Sequence, residues 1–453
     1  MSVAGAPKAD SVRRLAADQA ESAQPDKPDR RSGSRRVICL VGPGFRFTSG
    51  VSYYTCRLAN ALAYQHDVSV IQMRQLLPGR LYPGWRRVGQ PRARMRYSPQ
   101  TRVYDGLNWW WGRSLVKALP FMRSRPPEML VLQWWSATVL HSYLILALTG
   151  RLLGARVVLE LHEIQDTGEL RLAPARWYGQ HGLRLLLRLC HGCVVHSAAD
   201  RDALLAKHDL GKARVRVAPH GPFDQYRPAV EQRSLGDSAI ATVREAPRPD
   251  VVNLLYFGTI RPYKGLEDLL TVFNGLDDLK ASRLWLTVVG ETWEGWTEPA
   301  RLIENSPHRA RISFVNDYVP DEVVTAAFAH ADAVVLPYRR SSSSGPLHVA
   351  MNWGLPVVVS SVGGLPEAAA GYDGAIFVPP GDCDALKEAI SKASGLAGHR
   401  FADPRSWDDS VSALLAAAAL SDPDGEEHLG KTMKSSGRGK WARASEENPQ
   451  EPR

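Results

Sequence analysis

The sequence predicts an α/β protein built on two parallel sheets, and three observations carry that prediction. The chain has 453 residues, too many for one ordinary core and enough for two domains of roughly 150–200 residues each. Short β-branched runs alternate with helical stretches, and the whole alternation occurs twice. Between the two series, residues 223–250 are polar and rich in Pro and Asp, the composition of a linker. Strands that alternate with helices of about 10–15 residues form parallel sheets with right-handed crossovers.

The elements follow in order. Residues 1–35 mix charges, lack the apolar segment of a secretory signal, and read as a disordered basic arm. The first domain, 36–222, offers strands in RVICLV (36–41), DVSVIQ (67–72), MLVLQ (129–133), RVVLEL (156–161), GCVVHS (192–197) and VRVAP (215–219). Tyr53–Tyr64, with Leu58, Ala59 and Leu62 on one face, is the first helix. Met129 to Gly150 carries no formal charge, but its alternating front end and its Gln, Ser, Thr and His residues fit a strand followed by a core helix better than a membrane span. The second domain, 251–404, repeats the grammar in VVNLLYFG (251–258), LWLTVVG (284–290), RISFV (311–315), AVVLPY (333–338), PVVVSS (356–361) and AIFVPP (375–380). Residues 405–420 form a last helix, and 421–453 read as a disordered tail. Ligands of such sheets bind beyond the carboxyl ends of the strands, so a cleft between the domains is the expected site.

Composition narrows the class. Apolar residues at 44% and charged residues at 23% exclude wholesale disorder and a polytopic membrane protein. The 56 Lys and Arg exceed the 47 Asp and Glu by 9, which favours anionic partners. Five cysteines, at 39, 56, 190, 193 and 383, are too few and too scattered for a disulfide framework, so a reducing cytoplasm is the simplest reading.

Two stretches carry chemistry. In YFGTIRPYKGLEDLLTVF (256–273) a strand ends at Gly258, Arg261 and Lys264 stand in the turn, and a helix begins near Gly265. Two cations three residues apart at a strand-to-helix turn can hold an anion, helped by helix-start amides, although solvated surface charges give the same pattern. In LPYRRSSSSGPLHVAMNWGLPVVVSSVGGLPE (336–367) four serines and Gly345 stand between a strand and a helix, where hydroxyls and amides make a neutral phosphate cradle.

Together these stretches resemble the retaining nucleotide-sugar glycosyltransferases of family 4. The GTIRPYKG turn, Val288–Glu291, ADAVVLPY (331–338) and the run from Ala350 to Glu367 occur in family order, and RSWDDSVSALL (405–415) resembles the family's last helix. The likeness covers roughly residues 36–420 and is strongest in the second domain. It implies the GT-B fold, two Rossmann-like domains facing a central cleft, with the C-terminal helix crossing back to the first domain. It implies a nucleotide-sugar donor, a glycan or lipid-linked acceptor, retention of configuration, and a place in polysaccharide or glycoconjugate biosynthesis. The residues it assigns to catalysis are His162, Arg261 and Lys264. Ser49, Gly50, Gly258, Glu291, Ser343, Ser344, Gly345 and Pro346 are assigned to the donor. Glu163 and Asp166 share a loop with His162 and are candidates for the acceptor. The family's two glutamates, with seven residues between them, are absent, since their positions hold Ser341 and Val349. That absence removes their usual contacts to the sugar and ribose and leaves Ser344, Gly345 and Pro346 to face the diphosphate.

Departure of a nucleoside diphosphate builds negative charge that either a metal or fixed cations can stabilise. Arg261, Lys264 and a helix N-terminus supply the second option, so no metal and no other cofactor is expected. Asp382-Cys383-Asp384 reads as a helix cap, and Cys190 with Cys193 lacks the second pair that a zinc site needs. Arg74 to Arg102 holds eight arginines and no acidic residue, a solvated loop or a contact with an anionic membrane surface or a pyrophosphate-linked lipid. No nucleic-acid-binding module accompanies it. Two other functions fit the fold: a non-catalytic sugar-nucleotide-binding partner of another transferase, and a nucleotide-sugar epimerase.

Overall fold

A computed structural model of the chain describes residues 35–44, 50–75, 96–108, 111–163, 173–211, 214–224, 226, 250–293, 295–341 and 343–418. The expected N-terminal arm, C-terminal tail, most of the linker, residues 76–95 of the arginine-rich stretch, Ser49 and Asp166 lie outside the described residues.

The first sheet has seven parallel strands in the order β3-β2-β1-β4-β5-β6-β7. They are β1 (Val37–Pro43), β2 (Asp67–Gln75), β3 (Arg102–Asn108), β4 (Met129–Trp134), β5 (Arg156–Leu161), β6 (Gly192–Val195) and β7 (Val215–Val217). The second has six, ordered β10-β9-β8-β11-β12-β13: β8 (Val252–Phe257), β9 (Leu284–Val289), β10 (Ile312–Val315), β11 (Ala333–Leu336), β12 (Val357–Ser360) and β13 (Ala375–Val378). In both sheets the order reverses beside the first strand, between β1 and β4 and between β8 and β11. Those are the switch points where an open α/β sheet forms a crevice.

Helices cover both faces of each sheet. In the first domain they are α1 (Gly50–Gln65), α2 (Trp111–Arg123), α3 (Leu140–Leu152), α4 (Ala173–Leu189) and α5 (Ala198–Lys207). The second domain adds α6 (Leu266–Asn274), α7 (Asp278–Ser282), α8 (Glu298–Glu304), α9 (Asp321–His330), α10 (Gly345–Asn352), α11 (Leu365–Ala368) and α12 (Cys383–Gly395), and α13 (Trp407–Ala417) ends the described chain. Leu115, Tyr143, Leu146, Leu183 and Leu186 place α2, α3 and α4 together on one face of the first sheet. Leu58 and Leu62 of α1 cover the other face beside Leu414 and Ala417 of α13. The last helix therefore crosses back to the first domain, as the resemblance implies, and Ser410 Oγ donates to Pro219 O at 3.0 Å.

The strands expected from β-branched runs are all present. β3 was not foreseen, and its sequence, RVYDGLN, explains why. It is an edge strand paired on one side, its register with β2 slips twice, and it needs no continuous apolar run. Arg74 and Arg102 thus belong to strands β2 and β3 rather than to a loop. The uncharged stretch from Met129 resolves into β4 and α3, and among the described residues no helix is long and apolar enough to cross a membrane. All five cysteines are free.

Candidate active site

Three neighbouring strands of the first sheet each release a histidine at or just beyond the carboxyl end: His162 after β5, His196 after β6 and His220 after β7. All three are buried. Their hydrogen bonds fix the protons. The carbonyl of Ala218 can only accept, so His196 Nδ1, 2.9 Å away, carries the hydrogen. His196 Nε2 is then a lone pair, and it accepts from His162 Nδ1 at 3.1 Å. His162 Nε2 is left as an unprotonated nitrogen with no protein partner. Burial, reinforced by His196, holds His162 well below the usual histidine range, so the ring is neutral.

The three ring systems could be read as a metal cluster, since one nitrogen from each lies within 4.8 Å of the others. Their orientation argues for a hydrogen-bonded relay instead. The His196 and His220 rings stack at 3.9 Å and 25°, so their in-plane lone pairs run side by side rather than converging. Tyr54 of α1 meets His162, His196 and His220 edge-on at 4.7, 5.4 and 4.9 Å. Its hydroxyl donates to Glu160 Oε1 at 2.6 Å, and Gln133 Nε2 donates to Glu160 Oε2 at 3.1 Å. Burial pushes the Glu160 carboxyl up to about 7.

The second domain presents charge. Arg261 precedes a short 3-10 turn over Pro262–Lys264, and Gly265 follows at φ 65°. A Cβ at Gly265 would lie 1.9 Å from Pro337 O, so only glycine lets this turn close against β11. The Arg261 guanidinium lies 5.2 Å from the Trp293 ring, and Lys264 Nζ sits 3.8 Å from the centroid of Tyr338. Burial pulls Lys264 down to about 7; Glu163 of the first domain opposes that shift, and Arg261 adds to it. Glu163 is exposed and follows His162 directly, so its charge acts across the cleft. Gly258 follows β8 at φ 131°, with Pro346 3.4 Å from where its Cβ would stand. Glu291 accepts from Trp293 Nε1 at 2.9 Å.

In the serine-rich segment the roles divide. Ser344 caps α10: its Oγ accepts from Leu347 N at 3.3 Å and donates to Tyr338 Oη at 3.3 Å, with the residue buried. The hydroxyl expected to face a diphosphate is thus spent inside the fold. Gly345, where an added Cβ would meet nothing within 4 Å, and Pro346 open the helix. Ser341 Oγ donates to Ser343 O at 2.7 Å. Asp382 caps α12 through Ala385 N at 2.9 Å, as its sequence position predicts. Cys190 and Cys193 are buried in the first core, where burial raises both thiols.

Sequence reasoning singled out His162 and missed His196, His220, His348 and Tyr54. A histidine just beyond each of three successive strands is a signal that was available. His348, on α10, stacks on Phe223 at 5.3 Å and 13°, and its Nδ1 is bonded to Arg405, which pairs with Asp403 through two contacts of 2.9 Å. Two further contacts join the domains: Tyr53 Oη donates to Asp321 Oδ2 at 2.9 Å, and Glu367 accepts from the amides of Ala198 at 2.6 Å and Ala199 at 3.3 Å.

Comparisons agree with this frame. The family described as Glycosyltransferase Family 4 matches residues 48–222, and the family described as Glycosyl transferases group 1 matches residues 252–394. A GDP-mannose:glycolipid 4-beta-D-mannosyltransferase of Xanthomonas campestris pv. campestris is 34% identical over 137 residues, 29% of this chain and 37% of the relative. A D-inositol 3-phosphate glycosyltransferase of Mycobacteroides abscessus is 26% identical over 234 residues, 49% of this chain and 50% of that protein. The chain therefore spans 37% and 50% of the lengths of these two relatives. The sucrose-phosphate synthase of Thermosynechococcus elongatus superposes with a TM-score of 0.56 at 18% identity, over 89% of this chain and 100% of that one. The fold is GT-B.

Proposed function

We propose that this GT4-like chain, a family 4 domain followed by a group 1 domain on the GT-B frame, transfers a sugar from a nucleotide-sugar donor to a hydroxyl acceptor without a metal ion. One observation carries the reading: Lys264, beside Arg261 on the second domain, feels the charge of Glu163 on the first, and Glu163 follows His162, a neutral histidine with an open lone pair. The reaction breaks the anomeric C–O bond, and the electron pair stays on the departing diphosphate. Arg261 and Lys264 stabilise that charge, with the first amides of α10 beside them. His162 Nε2 accepts a hydrogen bond from a donor-sugar hydroxyl and orients the ring. The acceptor hydroxyl closes the new bond from the same face, its proton passing to the leaving phosphate, which retains configuration. The acceptor is a glycan or lipid-linked sugar, the setting is polysaccharide or glycoconjugate assembly, and the five free thiols support a reducing compartment.

A second reading, inversion, is favoured by the Xanthomonas relative, whose name gives a beta-mannosyl linkage from GDP-mannose, a donor that holds its sugar in the α form. Inversion needs a base opposite the leaving group, and the exposed Glu163 carboxylate is the group beside His162 that can take the proton. The anomeric configuration of the product, read by NMR, separates the two.

The test of transfer is diphosphate release from a panel of UDP-, GDP- and ADP-sugars, GDP-mannose first, with EDTA present, in wild type and Arg261→Ala. Release from one donor that survives EDTA and collapses in the variant is expected. Saturable diphosphate binding with no release, even with lipid-linked acceptors, would make the chain a non-catalytic partner. Interconversion of the donor sugar without transfer would make it an epimerase.

A further inference from the structure

The helical layer α2–α3–α4 concentrates the exposed apolar side chains of the described residues. Its inner faces are core. Its outer face carries Val116, Leu148, Leu152, Trp177, Tyr178 and Leu185, six of the ten large apolar side chains that stand exposed among the described residues. Leu152 is 79% exposed and Trp177 63%, values far from those of partly covered core residues. The same three helices contain no Asp or Glu. Arg113, Lys117, Arg123, Arg151, Arg184 and Arg188 are all exposed on them. The helices of the second domain differ: α6, α8, α9 and α12 each bear acidic residues, among them Glu267, Glu298, Asp321 and Glu388.

The spacing puts both kinds of side chain on one face. Along α4, Trp177, Arg184 and Arg188 recur at helical intervals with Tyr178 and Leu185 beside them, while Leu183, Leu186 and Leu187 point to the core. Along α2, Arg113, Val116 and Lys117 share a turn. Where α2 meets β3, a cavity of about 320 Å³ is lined by Arg74, Arg113 and Lys117 together with Asp105, Asn108 and Ser114. Three cations against one carboxylate suit a phosphate.

We propose that the outer face of α2–α3–α4 docks on an anionic lipid surface, with Trp177, Tyr178, Leu148 and Leu152 entering the headgroup region and the arginines and Lys117 pairing with lipid phosphates. Aromatic rings with a polar edge settle at that depth, and clustered Lys and Arg without carboxylates are drawn to anionic headgroups. The patch combines exposed apolar area with uniform charge, which a solvated basic face lacks. This transfers to three described helices the membrane contact that the Arg74–Arg102 stretch suggests, and it does not depend on the transferase reading. The domain that docks is the one bearing His162 and Glu163, and α4 is the next described element after them in the chain. A lipid-linked acceptor would therefore meet the cleft from the membrane side.

The experiment is co-sedimentation of the full chain with vesicles of phosphatidylcholine alone or mixed equally with phosphatidylglycerol. Binding is expected to the mixed vesicles only and to weaken with added salt. Arg113→Gln, Lys117→Gln, Arg184→Gln and Arg188→Gln combined should lower the partition coefficient at least tenfold, since each cation near such a surface is worth about a fivefold factor. Trp177→Ala with Leu152→Ala should also lower it, whereas Lys280→Gln, Arg301→Gln, Lys387→Gln and Lys392→Gln combined, on the second domain, should not. All these positions are exposed, and circular dichroism checks that the variants fold. Equal binding to both vesicles, equal loss from both charge sets, or binding to acidic polypeptide that ignores Trp177→Ala would overturn the proposal, the last in favour of an acidic protein partner. Diphosphate release measured without lipid is a separate readout and should be unchanged in all of these variants.

Discussion

The two walls of the cleft solve opposite problems. The first-domain wall is built of buried neutral histidines: His196 is fixed by Ala218 O and in turn fixes His162, while Tyr54 is held by Glu160. The second-domain wall is half-buried and cationic, with Arg261 beside the Trp293 ring and Lys264 over the Tyr338 ring. A cation over a ring keeps its charge available. The contrast teaches that recognition is divided by chemistry, with phosphate on one wall and hydroxyls on the other.

The largest expected effect is on the charged wall. Arg261→Ala should lower kcat/KM by about a hundredfold or more, roughly 3 kcal/mol, since the lost interaction is strongest when the diphosphate departs. The same change on the neutral wall, His162→Ala, should cost less. If the two losses come out equal in steady-state kinetics, the division of labour is wrong.

Lys264 gives the contrast a pH signature. Its pKa in the free enzyme is about 7, lowered chiefly by burial. Below that pH the ammonium is charged and ready for the anion; above it, binding must take up a proton. Diphosphate affinity should therefore be flat below pH 7 and fall by up to about tenfold per unit above it. Lys264→Arg keeps its charge throughout and should flatten the profile by calorimetry. A wild-type profile already flat above neutrality would show that Lys264 does not meet the phosphate.

On the neutral wall the expected effect is smaller. His196→Phe preserves the stack on His220 but removes the acceptor that fixes His162, so either ring nitrogen of His162 can then carry its proton. A loss of about tenfold in kcat is expected, with partial recovery in His196→Gln, and the double variant with His162→Ala should be no worse than His162→Ala alone. Equal losses in Phe and Gln would make His196 a packing residue.

What the sequence disclosed follows from what each feature depends on. Strands such as VVNLLYFG are legible because burial on both faces demands an apolar run; β3 is not, because an edge strand with half-exposed faces has no such demand. Arg261 and Lys264 were legible because their turn is local. The histidines that follow β5, β6 and β7 were legible one by one, but the hydrogen bond that joins His162 to His196 was not, because they are 34 residues apart and meet only when β5 and β6 align side by side. Ser344 shows the limit from the other side: the same hydroxyl can cap a helix or meet a phosphate, and only its partners Leu347 N and Tyr338 Oη decide.

The smallest effect concerns the contacts that hold the two walls together. Glu367 places its carboxylate on the first amides of α5, where the helix dipole favours an anion, and Tyr53 reaches Asp321 on α9. The Glu367 contact is exposed, and a surface charge at a helix start contributes about 0.3–1 kcal/mol. Glu367→Gln should therefore raise the donor KM by only about two- to fivefold, with kcat nearly unchanged, because it biases closure without touching either wall. Tyr53→Phe should act alike, and the two should add, since they share no partner. A change in kcat larger than in KM would mean that the contact at α5 adjusts the chemistry of the neutral wall through Ser197 and His196, and the separation of the two walls would then be incomplete.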